Sequence, residues 1–319
     1  MSPLREEIWT ALIADLDETN TWPARQPLLA HYTNISTLEL IIKNNELWMA
    51  NPLMMNDSEE LRFGMNEGLR SIFDHATLRD SPAGSTADRF VDMYERAHSH
   101  FDAGALDNYL TCFCEHDPSD NDGILSMWRG YGANGSGAAI VFDSSKITPD
   151  EQSPFIFSKV EYATRSSRQA WIKQKIDFVA EFIGRRSNWS DDELWSIADA
   201  LLQRLKLFAL FSKDKGFREE NEWRLVYDPS RDPSKKAEPL FGYFVGARGV
   251  EPKLKLKVNG EPGGVLAGGL VLDQIVDRII LGPVGSSQLA QAATRRMFDC
   301  MGKPHISRRV VASGTPYRP

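Results

Sequence analysis

Apolar residues along this chain recur in short alternating runs and in longer helical repeats, and the two kinds follow one another without a regular strand–helix–strand rhythm. Runs at Leu28–Thr33, Leu47–Ala50, Tyr109–Cys114, Ala138–Phe142, Phe157–Tyr162, Leu254–Val258 and Ile275–Leu281 read as strands. Helical spacing marks Ile8–Leu16, Thr37–Lys43, Glu59–Phe73, Asp88–Phe101, two helices between Ser166 and Phe211, and Ser287–Met301. A last piece, Ile306–Val311, reads as extended. A doubly wound parallel sheet needs a crossover helix between each pair of strands, so the pattern predicts an α+β fold instead. Residues 1–27 are expected to form an N-terminal helical extension. Residues 28–319 are expected to form a single mixed domain, with 166–211 as a helical insertion packed on its sheet.

Local signals sharpen two helices. Asn34 or Ser36 stands where an N-cap belongs, with Asn44-Asn45 as the stop. Ser190, followed by Asp191 and Glu193, supplies a cap and an acidic first turn. With 42% hydrophobic and 25% charged residues, a chain of 319 can build a proper core. Its net charge of −7 argues against indiscriminate adhesion to nucleic acid or to an anionic membrane, while leaving room for a local basic groove. Cys112, Cys114 and Cys300 have no disulfide-framework spacing and read as reduced thiols. With no apolar run long enough to span a bilayer and no secretory leader, a soluble cytoplasmic protein is expected.

The chemistry-bearing stretch is Glu220-Asn221-Glu222-Trp223-Arg224. On a strand, residues two apart share a face, so Glu220 and Glu222 are expected to project together, which disfavours joint ionisation and suits acid–base work. A solvated acidic strand end, with Arg224 pairing Glu222, is the plainer alternative. Met127-Trp128-Arg129-Gly130-Tyr131 sets Trp128 and Tyr131 three apart, either as a stacking platform with Arg129 for a phosphate or as core aromatics. His31-Tyr32-Thr33 closes a strand ahead of a capped helix and could present a His and a hydroxyl at a cleft mouth. Asn56-Asp57 with Glu59-Glu60 reads as a turn and an acidic helix start. Gly132, Gly135 and Gly137 lead into a strand, so neither nucleotide-loop fingerprint applies. His98 and His100 offer no metal motif.

Together, His31-Tyr32-Thr33, Asn56-Asp57 with Glu60, Thr111–Cys114, Met127-Trp128-x-x-Tyr131 and Glu220-x-Glu222-Trp223-Arg224 resemble the bacterial domain of unknown function 2971 family. The endings Ile279–Pro283 and Ser313–Arg318 are similar too, so the resemblance runs from about residue 28 to 318. Cys114 departs from a usual serine, and Met55–Ser58 departs from a Phe-Asn-Asp-Pro-like turn. More distantly, the order of features resembles ADP-ribosyltransferases: a first strand ending in His, then a late strand bearing Glu-x-Glu. That resemblance implies a split, antiparallel-rich sheet and NAD as substrate. Glu222 would then stabilise the oxocarbenium-like transition state and Glu220 would orient or deprotonate the acceptor. His31, Tyr32, Thr33, Asn56, Trp128, Arg129 and Tyr131 would hold NAD. It further implies a toxin or phage-defence effector modifying a macromolecule, either nucleic acid such as RNA or a protein, with an antitoxin as a further partner and no membrane. Arg165, Arg168, Lys173, Lys175, Arg185 and Arg186 would line a groove for a nucleic-acid acceptor or simply face solvent. The alternatives are a non-catalytic nucleotide sensor and a magnesium nuclease built on Asp57, Glu60, Glu220 and Glu222.

Overall fold

Side-chain caps set helix boundaries where the sequence signals them. The Asn34 carboxamide accepts from the Thr37 N–H at 2.7 Å, and Asn45 ends the same helix in the left-handed region. Ser190 and Glu193 form a reciprocal capping box. In the computed structural model, residues 3–317 are described except 56–57, 149, 151–152, 247–248 and 261–268, and without the side chains of 58–60, 102–103 and 105.

The chain runs through α1 (Pro3–Ile13), β1 (Leu28–Thr33), α2 (Ile35–Asn44), β2 (Glu46–Ala50), α3 (Ser58–Asp74), α4 (Ala76–Arg79) and α5 (Thr86–Ala103). It continues through β3 (Tyr109–His116), α6 (Leu125–Gly130), β4 (Ala138–Asp143), β5 (Phe155–Lys159), β6 (Glu161–Ala163), α7 (Arg165–Ile183) and α8 (Asp191–Phe211). Next come β7 (Ser212–Asp214), β8 (Glu222–Tyr227), β9 (Phe241–Gly246), β10 (Gly249–Lys257) and α9 (Leu272–Ile275). Last are β11 (Val276–Leu281), α10 (Gln288–Cys300), α11 (Pro304–Ser307) and β12 (Val310–Ala312). The class is α+β with a mostly antiparallel sheet.

The structure departs from the sequence reading at several elements. The strand expected at Phe157–Tyr162 is two strands with different partners, β5 on β8 and β6 on β7. The piece expected to be extended from Ile306 begins as the short α11, because Pro304 sits in its first turn where a missing N–H costs nothing. β9 went unread because its apolar residues Phe241, Tyr243 and Val245 are the exposed ones.

The chain divides into two compact units. One gathers residues 1–18, 52–108 and 161–217, so 166–211, expected as an insertion, groups with α1 and α3–α5 in a helical unit. At its centre α8 buries residues all round, from Leu194 to Leu210, as a helix enclosed by others must. Gly64 and Gly68 of α3 stand against Ala209 and Leu205 so closely that a Cβ at either would collide, which lets α3 lie directly on α8. The C-terminal end of α1 is held electrostatically. Lys175 Nζ and Arg204 Nε donate to the Leu12 carbonyl at 2.8 and 3.1 Å, and both cations pair with Asp15 at 2.9 and 3.1 Å.

The expected basic groove is thereby largely taken up within this unit. Arg168 and Lys175 are buried, Arg165 and Arg168 lie over Phe63, Arg186 lies over Trp189 and pairs with Glu193, and Lys173 pairs with Asp177.

The other unit, residues 19–51, 109–160 and 218–319, holds a sheet of ten strands among the described residues. β3 is its branching point. Cys114 pairs with Glu222 of β8 on one edge and with Ala30 of β1 on the other. At the far end of β3, Leu110 pairs with Val226 of β8 and with Ala50 of β2. β1 and β2 therefore share one edge of β3 and part from each other along it. One branch continues through β4, β11 and β12, the other through β10 and β9. Within this sheet only the β11–β12 pairing is parallel.

Each face of the sheet has its own core. Leu29, Phe113, Ile140, Phe142, Trp223 and Leu256 share one face with apolar residues of α2 and α10. Ala30, Tyr32, Cys114, Ala139, Val141 and Ile280 pack on the other with Met127 and Trp128 of α6.

Candidate active site

Strand alternation decides which chemistry-bearing side chains meet. Glu222 opens β8 opposite Cys114, and Cys114 lies opposite Ala30, so Glu222, Cys114 and Tyr32 occupy the α6-covered face. His31 and Thr33 alternate to the other face. There the His31 ring lies edge-on to Phe113, 5.9 Å between centroids. Glu222 and His31 do not face each other across one surface, contrary to the arrangement that the transferase resemblance implies.

His31 has a structural task at the fork. Its Nδ1 lies 2.9 Å from the Cys112 carbonyl, on the β3 edge between the points where β1 and β2 attach. A carbonyl only accepts, so Nδ1 carries the proton and the ring fills the place of a ladder hydrogen bond. Burial pushes this imidazole below its ordinary value, and nearby Lys253 adds to the shift against the opposing carbonyl bond.

Glu222 is 3% exposed, and both its oxygens are occupied by Arg224: Nε to Oε1 at 2.7 Å and a terminal guanidinium nitrogen to Oε2 at 3.1 Å. This is the pairing held open as the plainer reading, now seen as a buried bidentate fork. Glu220 does not share the strand. It ends a 3-10 turn, Lys215–Glu220, and Asn221 between the two carboxylates has φ +43°, which breaks the alternation. Glu222 lies opposite Cys114 in the β3–β8 ladder, and Glu220 precedes Glu222 by two residues. Burial pushes that thiol up to about 12, and the negative charges of Glu220, Glu115 and Glu222 reinforce the shift. Cys114 is therefore a neutral thiol and not a nucleophile at ordinary pH.

The aromatic platform separates into two roles. Trp128 is fully buried; its Nε1 donates to the Asp122 carbonyl at 2.8 Å and its ring meets Tyr32 at 4.7 Å, nearly perpendicular. It is a core residue and cannot stack on a ligand. Tyr32 is buried with it, its hydroxyl oxygen accepting from the Ile124 N–H at 3.0 Å, and burial raises its pKa. Tyr131 lies just past the end of α6, 37% exposed, and its hydroxyl donates to Glu220 at 3.2 Å. Arg129 is exposed and sits 5.4 Å from the centre of the Tyr317 ring. Asn56 and Asp57 lie outside the described residues.

The glycine run between α6 and β4 is a packing device. The Thr33 carbonyl comes so close to Gly137 that any Cβ there would clash. The tail seals the same region: Ser313 Oγ donates to the Asp122 carbonyl at 2.8 Å, and Tyr317 bonds Asn134. Among the described residues, no group of three or more His, Cys, Asp or Glu is arranged to hold a metal.

What comes together is a patch of Tyr131, Glu220, Cys114, Glu222 and Arg224. A family model described as a protein of unknown function (DUF2971) matches residues 127–225. Over that span the chain is similar to the DUF2971 family. The DUF2971 segment runs from α6 to β8, so it contains every member of the patch except Cys114. No curated protein and no solved structure matches the chain. The sequence named Glu220, Glu222 and Tyr131 but missed the Tyr131–Glu220 bond and the central place of Cys114. The sequence signals for Cys114 were its alternation with Cys112 and its standing where the resemblance expects a serine.

Proposed function

We propose that this chain is an NAD-dependent mono-ADP-ribosyltransferase that modifies a macromolecule, acting as a toxin or defence effector in the cytoplasm. The observation that carries this reading is the buried Glu222 opposite Cys114 of β3, the strand from which the sheet forks, with the Tyr131-bonded Glu220 two residues before it. An ADP-ribosyltransferase-like arrangement likewise sets a late-strand glutamate next to a split in the sheet. Departure of nicotinamide leaves positive charge on the ribose anomeric carbon, and a fixed carboxylate in a dry site stabilises it. Glu222 takes that role, its orientation set by Arg224. Glu220, oriented by the Tyr131 hydroxyl, accepts the proton of the attacking acceptor group. Tyr131 is the aromatic that can stack on nicotinamide, and Arg129 can meet a phosphate. His31, Tyr32 and Trp128 drop out as NAD-holding side chains, because their contacts assign them to the fork and the core, and Thr33 is buried on the face away from Glu222.

The test is release of nicotinamide, and transfer of label, from labelled NAD incubated with protein plus cell lysate or RNA. Glu222→Gln should lower release at least 100-fold while retaining the wild-type circular dichroism spectrum. Absence of both release and transfer with the wild-type chain overturns the proposal.

One observation favours a second reading, a non-catalytic nucleotide sensor: the Glu222 carboxylate is already neutralised by a bidentate guanidinium. That reading expects NAD to raise the melting temperature, by about 2.7 kcal/mol of stability at one hundred times Kd, with no nicotinamide released.

A further inference from the structure

The sheet face opposite Glu222 is not filled by its own side chains. A cavity of about 450 Å³ opens there, wholly within the sheet unit, walled by Trp22, Phe113, Phe142, Phe155 and Phe157. Native cores keep few voids larger than a water molecule, and small-ligand sites run from about 300 to 1,000 Å³. Two polar groups of the wall are engaged by backbone carbonyls. Trp22 Nε1 donates to the Ser144 carbonyl at 3.3 Å, and Ser144 Oγ donates to the Pro27 carbonyl at 2.6 Å. Charge is confined to Asp150 and Arg231 among the lining residues, where Arg231 Nε donates to the Ser153 carbonyl at 3.2 Å.

We infer that this cavity is a binding site for a planar, fused-ring aromatic molecule with one polar substituent directed at the Ser153–Arg231 end. Size and the aromatic wall both lead there. A cavity of about 150 Å³ lined by apolar side chains holds one benzene, so this one takes about eighteen non-hydrogen atoms of ring. The wall rings already meet edge to face. Phe113 stands at 89° to Phe142 and 64° to Phe157, with centroids 5.8 and 5.9 Å apart. Such a wall presents ring edges and faces to a further flat ring, an arrangement aromatic pairs favour beyond simple area burial. An alkyl chain would gain only the burial.

The site does not depend on the transferase reading. Phe113 lines the cavity, while its neighbours Cys112 and Cys114 face the other way, so ligand and glutamates are on opposite sides of β3.

The full chain titrated with the neutral probe N-phenyl-1-naphthylamine should give saturable, single-site fluorescence enhancement. Leu225→Trp, which fills the cavity, and Thr148→Trp, which narrows its exposed rim, should each weaken binding at least tenfold. Leu289→Ala, at an exposed position on α10, should leave it unchanged, and since the titration needs no NAD turnover, failure of the transferase test would not affect this one. Thr148 is exposed, so its variant keeps the test valid even if Leu225→Trp folds poorly. Non-saturable binding, or binding that survives both tryptophan substitutions, overturns the inference. So does a probe displaced by hexadecanol but not by anthracene.

Discussion

Glu222 and Arg224 are each about as buried as an apolar core residue, and neither would tolerate that position alone. Two parallel charge-assisted bonds offset much of the desolvation cost, but removing one partner leaves an uncompensated charge in the core. Arg224→Met should therefore lose about 3–5 kcal/mol in urea unfolding. The double variant Glu222→Leu with Arg224→Met should lose clearly less than the sum of the two single losses. Equal or additive losses would show that the pair is not the unit that holds the start of β8. His31 gives a pH prediction with a definite sign. Its folded pKa is depressed, as is that of His116, whose ring is also buried and bonded to the Asp120 carbonyl. The unfolded chain binds these protons first, so stability is complete above about pH 6.5 and falls as pH drops toward the folded values, at up to about 1.4 kcal/mol per pH unit per group. Melting temperatures measured from pH 7.5 to 5.5 should decline, and His31→Gln should flatten the slope. An unchanged slope would remove His31 from the account.

The helices were the most legible elements, because their signals are local. Ser190 caps α8 through its hydroxyl and receives the Glu193 carboxylate on its own N–H at 2.8 Å. Ser190→Ala should cost about 1 kcal/mol, read as a lower urea midpoint with an unchanged m-value. Strands were legible where they are compact apolar runs buried on both faces, as in β1 and β3. β9 was not, since its apolar residues face outward and carry no burial pattern. The Glu-x-Glu motif failed as a strand argument for a backbone reason. The left-handed Asn221 ends the 3-10 turn, its carbonyl accepts from the Glu115 N–H at 2.9 Å, and the alternation starts only at Glu222. A spacing of two residues carries a shared face only if both residues lie on one strand.

At the scale of the molecule, periodicity without a crossover rhythm was enough for an α+β class, and of the residues that carried the family resemblance Met127–Tyr131 and Glu220–Arg224 fall within the matched span 127–225. Composition and local pattern also settled α2 and α8 with their caps, since capping is chemistry between residues three apart in the chain. The single-domain reading could not see the two units, because their pieces alternate along the chain: 52–108 and 161–217 join residues 1–18 only through packing. The fork at β3, the burial of Trp128 and the opposite facing of His31 and Glu222 belong wholly to the tertiary structure. They depend on which strands share an edge of β3 and in what register, and a shift of one residue would exchange every face. Long-range pairing of that kind leaves no mark at any single position of the sequence, which is why the candidate residues were nameable in advance and their company was not.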